Sequence, residues 1–205
     1  MFLERINELS KLIESCEYTS NKEFISDANA IRIFHSMLLD VKKNQGIAYL
    51  IGNGGSAGIA SHFAVDFLNA CKVPSNTLFD SNIMTCVSND YGYEHVFSNP
   101  LEILITSKDL LIAISSSGKS HNIIKAVEVA KSRNCKVVTL SGFLSTNELR
   151  KMGDLNFWLN VSDYGLVETG HFFLLHTIVD AWKSNKFLFN NLTRNNIATE
   201  SNQFK

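Results

Sequence analysis

The sequence predicts a three-layer α/β fold, in which a doubly wound parallel sheet lies between two layers of helices. Three observations predict it. Runs dominated by apolar residues recur at residues 47–52, 109–115 and 136–142. Helical patterns separate them, and the first two runs end in turns rich in glycine or serine that lead directly into helices. Strands without polar alternation are buried on both faces, and intervening helices make the connections parallel.

The elements follow in order. Residues 1–20 and 26–44 carry apolar side chains at helical spacing: Phe2, Ile6, Leu9 and Ile13, then Ile31, Phe34, Met37, Leu38 and Val41. Two helices therefore precede the first strand. "IAYLIG" (47–52) is that strand, and "SAGIASHFAVDFLNA" (56–70) is helical. "SNTLFD" (75–80) reads as a short strand and "SNIMTCVSND" (81–90) as a helix stopping near Gly92. "YEHVFSNPLEILI" (93–105) holds a helix interrupted at Pro100. Strands at 109–115, 136–142 and 155–160 flank an amphipathic helix at 121–134. A long helix runs from 167 to 187, and a polar tail follows. Two prolines, no low-complexity linker and no internal repeat leave one domain at 46–190. A helical extension precedes it at 1–45, and the tail occupies 191–205.

The 205 residues are 45% apolar and 19% charged, as in a soluble globular protein. A net charge of −1 gives no electrostatic case for nucleic acid or an anionic membrane as partner. No run of about 20 apolar residues could span a bilayer. The N-terminal "MFLERINELSKLIESC" has charges throughout and lacks a signal-peptide core, so the expected location is cytoplasmic. Cys16, Cys71, Cys86 and Cys135 form no CxxC pair and are expected to be reduced, buried small hydrophobes.

Ligands of parallel sheets bind at the carboxyl ends of the strands, where loops meet helix N-termini. There, Gly52, Gly54 and Gly55 leave backbone amides unobstructed, and Ser56 can cap the following helix. Exposed amides at a helix start attract anions. The glycines match neither the P-loop nor the dinucleotide pattern, so no nucleotide cofactor is expected. The second loop, "ISSSGKSHNII" (114–124), places Ser115, Ser116, Ser117 and Ser120 around Gly118. Such hydroxyls and amides suit a phosphate monoester without a fixed cation. Lys119 is expected to point to solvent. His62 and Asp66 share one helix face at i, i+4, directly after the first loop. Glu168, His171 and His176 interrupt a strongly apolar run on the last helix.

The blocks "GNGGSAGIASHFAVDF", "CVSNDYGYEHVFS", "ISSSGKSHNIIKAVEVAKSRNCKVVTLSG" and "ETGHFFLLH", in this order and spacing, resemble the sugar isomerase (SIS) domain family. The resemblance is closest to the phosphoheptose isomerases. It implies a flavodoxin-like fold with five parallel strands, a homotetramer with active sites at subunit interfaces, and a phosphorylated sugar as ligand. The reaction implied is aldose–ketose isomerisation of sedoheptulose 7-phosphate to the heptose 7-phosphate of surface-glycan biosynthesis. Ser115, Ser116, Ser117 and Ser120 then bind the sugar phosphate. Asn53, Gly54, Gly55, Ser56, Asp90 and Glu168 line the sugar pocket. Asp66 is the expected base and His176 its acid/base partner. Family members that bind zinc imply His62, Asp66, Glu168 and His176 as ligands, with His171 an alternative one turn from Glu168. Asp66 stands where the family has glutamate, Glu168 where it has glutamine, and Gly165 where many members have aspartate. Two readings of the same fold are not enzymatic: a binding protein of the kind that associates with the replication initiator, and a sugar-phosphate sensor. The retained His62, Asp66 and His176 speak against the first. The lack of an evident helix-turn-helix in residues 1–45 speaks against the second.

Overall fold

The computed structural model describes residues 1–184. In chain order the elements are α1 (Phe2–Glu14), β1 (Glu17–Ser20), β2 (Glu23–Ile25), α2 (Asp27–Lys43), β3 (Ala48–Ile51) and α3 (Gly55–Asp66). They continue with β4 (Ser75–Thr77), α4 (Ser81–Tyr91), α5 (Ser98–Leu104), β5 (Leu110–Ser115) and α6 (His121–Ser132). The last are β6 (Lys136–Gly142), β7 (Leu155–Leu159) and α7 (Tyr164–Lys183). A π-helical turn, Phe67–Cys71, extends α3. The expected tail at 191–205 lies outside the described residues.

Strand order across the sheet is β2-β1-β7-β6-β5-β3-β4. The five strands from β7 to β4 pair parallel, which is the expected five-stranded sheet. The order is doubly wound, and the winding reverses between β3 and β5. A crevice opens outside the carboxyl ends of the strands at such a reversal. The loops leaving β3 and β5 are therefore neighbours.

The sheet has seven strands rather than five, because residues 17–25 are not helical. β1 pairs antiparallel with β7, and β2 with β1. The helical pattern of the N-terminus stops at Glu14. Glu17-Tyr18-Thr19-Ser20 then meets Asn21 and Lys22, both at positive φ (51° and 68°). Two successive left-handed residues make the tight turn whose twist suits a hairpin. Residues 1–45 are thus two helices with a hairpin between them, and the hairpin continues the sheet. A second difference concerns Pro100, which does not interrupt a helix. It sits in the first turn of α5, where its missing N–H has no helical partner to lose.

Alternating strand residues feed two cores, one on each face. Leu50, Ile112, Ile114, Val138 and Leu140 join Phe34 of α2, Phe63 of α3 and Leu175 of α7. Tyr49, Ile51, Leu111, Ala113 and Val137 join Leu101 of α5 and Ile123 and Val127 of α6. This is the predicted three-layer arrangement. Burying each large side chain contributes about 1.5–3 kcal/mol. Cys16, Cys71 and Cys135 are buried as expected, but Cys86 is exposed on α4. Burial pushes the thiols of Cys16 and Cys135 up to about 12.

Candidate functional site

The two polar loops meet. Asn53 and Ser56 from the first line one cavity of about 120 Å³ with Ser115, Ser116, Ser117 and Ser120 from the second. Tyr164 and Glu168 of α7 close it. Among the described residues no lysine or arginine lines this cavity, and Lys119 is exposed. Positive potential comes from the N-termini of α3 and α6, which both open here. Ser115 Oγ and Ser120 Oγ lie 3.2 Å apart. Ser117 Oγ accepts from Lys119 N–H at 3.3 Å. The buried Ser116 Oγ has no hydrogen-bond partner among the described residues. An unsatisfied buried hydroxyl in a phosphate-sized cavity marks a place for a polar ligand.

Close packing dictates the glycines. At Gly118 (φ 63°) a Cβ would lie 2.0 Å from Asn147 Oδ1. Asn147 is buried, donates from Nδ2 to Gly142 C=O at 3.0 Å, and so braces the serine loop against the end of β6. At Gly55 a Cβ would lie 2.3 Å from Glu168 Oε2. The Glu168 carboxylate therefore rests against the first turn of α3, where the helix dipole favours a negative group. Gly54, at φ 53°, makes the turn into the helix and faces open space. Ser56 does not cap α3, contrary to expectation: Gly54 holds the cap position, and Ser56 is buried as the second residue of the helix.

An amide pair fixes the distance between the loops. Asn53 Nδ2 donates to Asn122 Oδ1 at 3.0 Å, and Asn122 Nδ2 donates to Asn53 Oδ1 at 2.9 Å. Tyr93 Oη adds a third bond to Asn53 Oδ1 at 3.0 Å. Asn122, Tyr93 and Tyr164 are site residues that the sequence reading missed. Asn122 lies two residues past Ser120, within the 114–124 stretch, which was the one available signal.

The second feature is an imidazole–carboxylate cluster lower on the same two helices. Asp66 Oδ2 faces His62 Nε2 at 3.4 Å and His176 Nδ1 at 3.8 Å. The imidazole centroids are 5.2 Å apart; Phe63 packs edge-on against both rings, and Phe172 packs edge-on against His176 and tilted against His62. His62 lies six residues beyond Ser56, or about 9 Å along the helix axis. Glu168 and His176 are separated by about 12 Å in the same way. One donor atom each from His62, Asp66 and His176 lie within 4.8 Å of one another. Two imidazoles and one carboxylate with an accessible fourth side fit a catalytic zinc donor set.

Three expected site residues are placed differently. Glu168 belongs to the serine cavity and is not in the His62–Asp66–His176 group. His171 is fully buried and joins no metal-binding group among the described residues. Its ring meets Ser141 C=O through Nε2 at 3.1 Å, and desolvation lowers its pKa to about 4. Three residues beyond Glu168 on α7, it faces the core beside β6. Asp90 is exposed on α4 and accepts from Asn89 Nδ2 at 2.8 Å, outside the cavity lining.

Comparison with known proteins agrees with this architecture. The model of the SIS domain family matches residues 13–142. The chain belongs to the SIS domain family. Within that family, it is 34% identical over 165 residues to a phosphoheptose isomerase of Campylobacter concisus, covering 78% of this chain and 87% of the relative. A phosphoheptose isomerase of Helicobacter hepaticus is 32% identical over 185 residues, covering 86% and 94%. The solved phosphoheptose isomerase GmhA of Neisseria gonorrhoeae superposes with a TM-score of 0.77 at 27% identity, covering 89% of this SIS chain and 95% of that one. The NanR protein of Vibrio vulnificus, solved with ManNAc-6P, has a TM-score of 0.62 at 14% identity and shares the fold alone.

Proposed function

We propose that this SIS-domain protein is a sugar-phosphate isomerase that converts sedoheptulose 7-phosphate, or a closely related ketose phosphate, to D-glycero-D-manno-heptose 7-phosphate. The product would supply heptose for surface glycans, and the reaction would run in the cytoplasm. One observation carries this reading. The serine cavity and the His62–Asp66–His176 cluster lie on the same two helices, one above the other, where one elongated phosphorylated sugar could reach both.

In this reading the serine loop and the starts of α3 and α6 hold the phosphate. Binding energy spent there orients carbons 1 and 2. Asp66 takes a proton from carbon 1 of the ketose, giving a cis-enediol. The abstracted proton exchanges with solvent while it is on the carboxyl, which then delivers a solvent-derived proton to carbon 2, and His176 moves a proton between the two oxygens. Asn53 and Glu168 receive sugar hydroxyls. Zinc, when bound by His62, Asp66 and His176, would polarise the substrate carbonyl.

The reading includes a homotetramer. Met1 and, on α1, Phe2, Leu3 and Ile6 are exposed and suit packing against a second copy. The test is turnover of sedoheptulose 7-phosphate in heavy water, followed by proton NMR with and without a chelator. Aldose phosphate carrying solvent deuterium at carbon 2 is the expected result. An unchanged ketose, with zinc restored, would overturn the assignment.

A further inference from the structure

A second concave surface lies at the opposite end of the sheet from β4, on the hairpin. It is a groove of about 600 Å³, within the range of small-molecule sites. Its floor follows one row of the sheet: Phe24, Thr19 and Asn156 are directly opposite one another across β2, β1 and β7. Its wall is the segment between β6 and β7, with Ser145, Arg150 and Lys151. Lys22 stands at the hairpin turn.

The chemistry of this surface is uneven. Among the described residues, three cations line it and no carboxylate does. Arg150 is held in place: its guanidinium stacks 3.8 Å above the Trp158 ring and pairs with Glu17. Lys22 and Lys151 have no ion pair among the described residues. Phe24 is 72% exposed, an aromatic face left open beside those ammonium groups. A flat apolar ring next to uncompensated cations suits a ligand with a planar ring at one end and phosphates at the other. The groove also touches the first site through its wall. Arg150 N–H donates to Asn147 Oδ1 at 2.9 Å, and Leu149 N–H donates to Gly118 C=O at 3.2 Å. Asn147 is the residue that braces the serine loop.

We propose that this groove is an effector site for a nucleotide-class ligand. The ring stacks on Phe24, the phosphates sit between Lys22 and Lys151, and occupancy changes the affinity of the serine cavity through Asn147 and Gly118. The ligand is an effector and not a cofactor, because no groove residue belongs to the cavity or the imidazole cluster. Only the coupling rests on the isomerase reading; binding to the groove does not.

The test is calorimetric titration of the full chain with ADP, adenosine and inorganic phosphate as separate probes. ADP is expected to bind more tightly than either fragment. Phe24→Ala and the double variant Lys22→Glu/Lys151→Glu should each weaken it by about tenfold or more. All three side chains are exposed, so neither variant threatens the fold. Ser116→Ala should leave ADP binding unchanged. By reciprocity, saturating ADP should shift the dissociation constant of sedoheptulose 7-phosphate by the factor that the sugar shifts that of ADP. Absence of ADP binding overturns the proposal, as does inorganic phosphate binding equally well. So does loss of ADP binding in Ser116→Ala alone, or self-association through Phe24 without ADP binding. ADP that binds the groove while leaving sugar-phosphate affinity unchanged overturns the effector role. If the sugar phosphate itself does not bind, the isomerase reading fails, and the two groove variants still decide whether the groove holds ADP.

Discussion

Asp66 shows how much a single side chain is asked to do. One of its oxygens faces two imidazoles, His62 and His176, from a position one turn after the first and across from the second. Asp66→Asn keeps the shape and removes the base; His176→Ala removes its partner. Each should lower kcat for the ketose phosphate by about a hundredfold or more while the melting temperature stays near that of the parent, measured by coupled assay and thermal denaturation. Turnover retained in either variant would refute that residue's role. His171 behaves in the opposite way. Buried and neutral, it has its pKa lowered to about 4 by desolvation. The unfolded chain takes up this proton near pH 6.5 and the folded chain does not, so stability falls as pH drops from about 6.5 towards 4. His35, also lowered by burial, acts in the same direction. Between pH 6.5 and 5, His171 should account for about 2 kcal/mol of lost stability. Urea denaturation at the two pH values should show this loss, and His171→Leu should reduce it. From sequence, His171 and His176 looked alike: two histidines in one apolar run. Five residues apart on a helix they face different ways, one into the core and one onto the surface shared with α3.

At the scale of elements, the loops were legible and the hairpin was not. The glycine and serine loops announced themselves because each interrupts an apolar strand with residues that free backbone amides. The hairpin strands are only four and three residues long, with half-buried or exposed side chains and no apolar alternation. Their apolar neighbours Leu9 and Ile13 carried the helical pattern forward past its true end. The deciding feature, positive φ at Asn21 and Lys22, is carried by one residue type that favours it and one that does not. Lys22→Gly should therefore stabilise the fold by about 1 kcal/mol, read as a higher urea midpoint with an unchanged slope. A lower midpoint would mean that the Lys22 side chain outweighs its backbone strain. Asn122 stayed hidden for another reason. Its partner Asn53 is 69 residues away, and only the pairing of β3 with β5 brings the two amides together.

At the scale of the whole molecule, the doubly wound strand order does what no single motif can. It sets two loops from distant parts of the chain side by side, and α3 and α7 then carry the cavity and the imidazole cluster on one surface. The sequence could say that both loops were anion-seeking, and its resemblance to the SIS family could say which residues should converge. It could not say that Glu168 would settle against Gly55 while His62, Asp66 and His176 gathered a few turns away, because that depends on how α7 packs across α3. The central claim is that one phosphorylated sugar bridges these two groups. A crystal soaked with sedoheptulose 7-phosphate measures this most directly. The account predicts phosphate oxygens on the Ser115–Ser120 loop and carbons 1 and 2 within hydrogen-bonding reach of Asp66 and His176. A sugar whose phosphate lies on the serines while its reacting carbons point away from both residues, in its own subunit and in every neighbour, would contradict it.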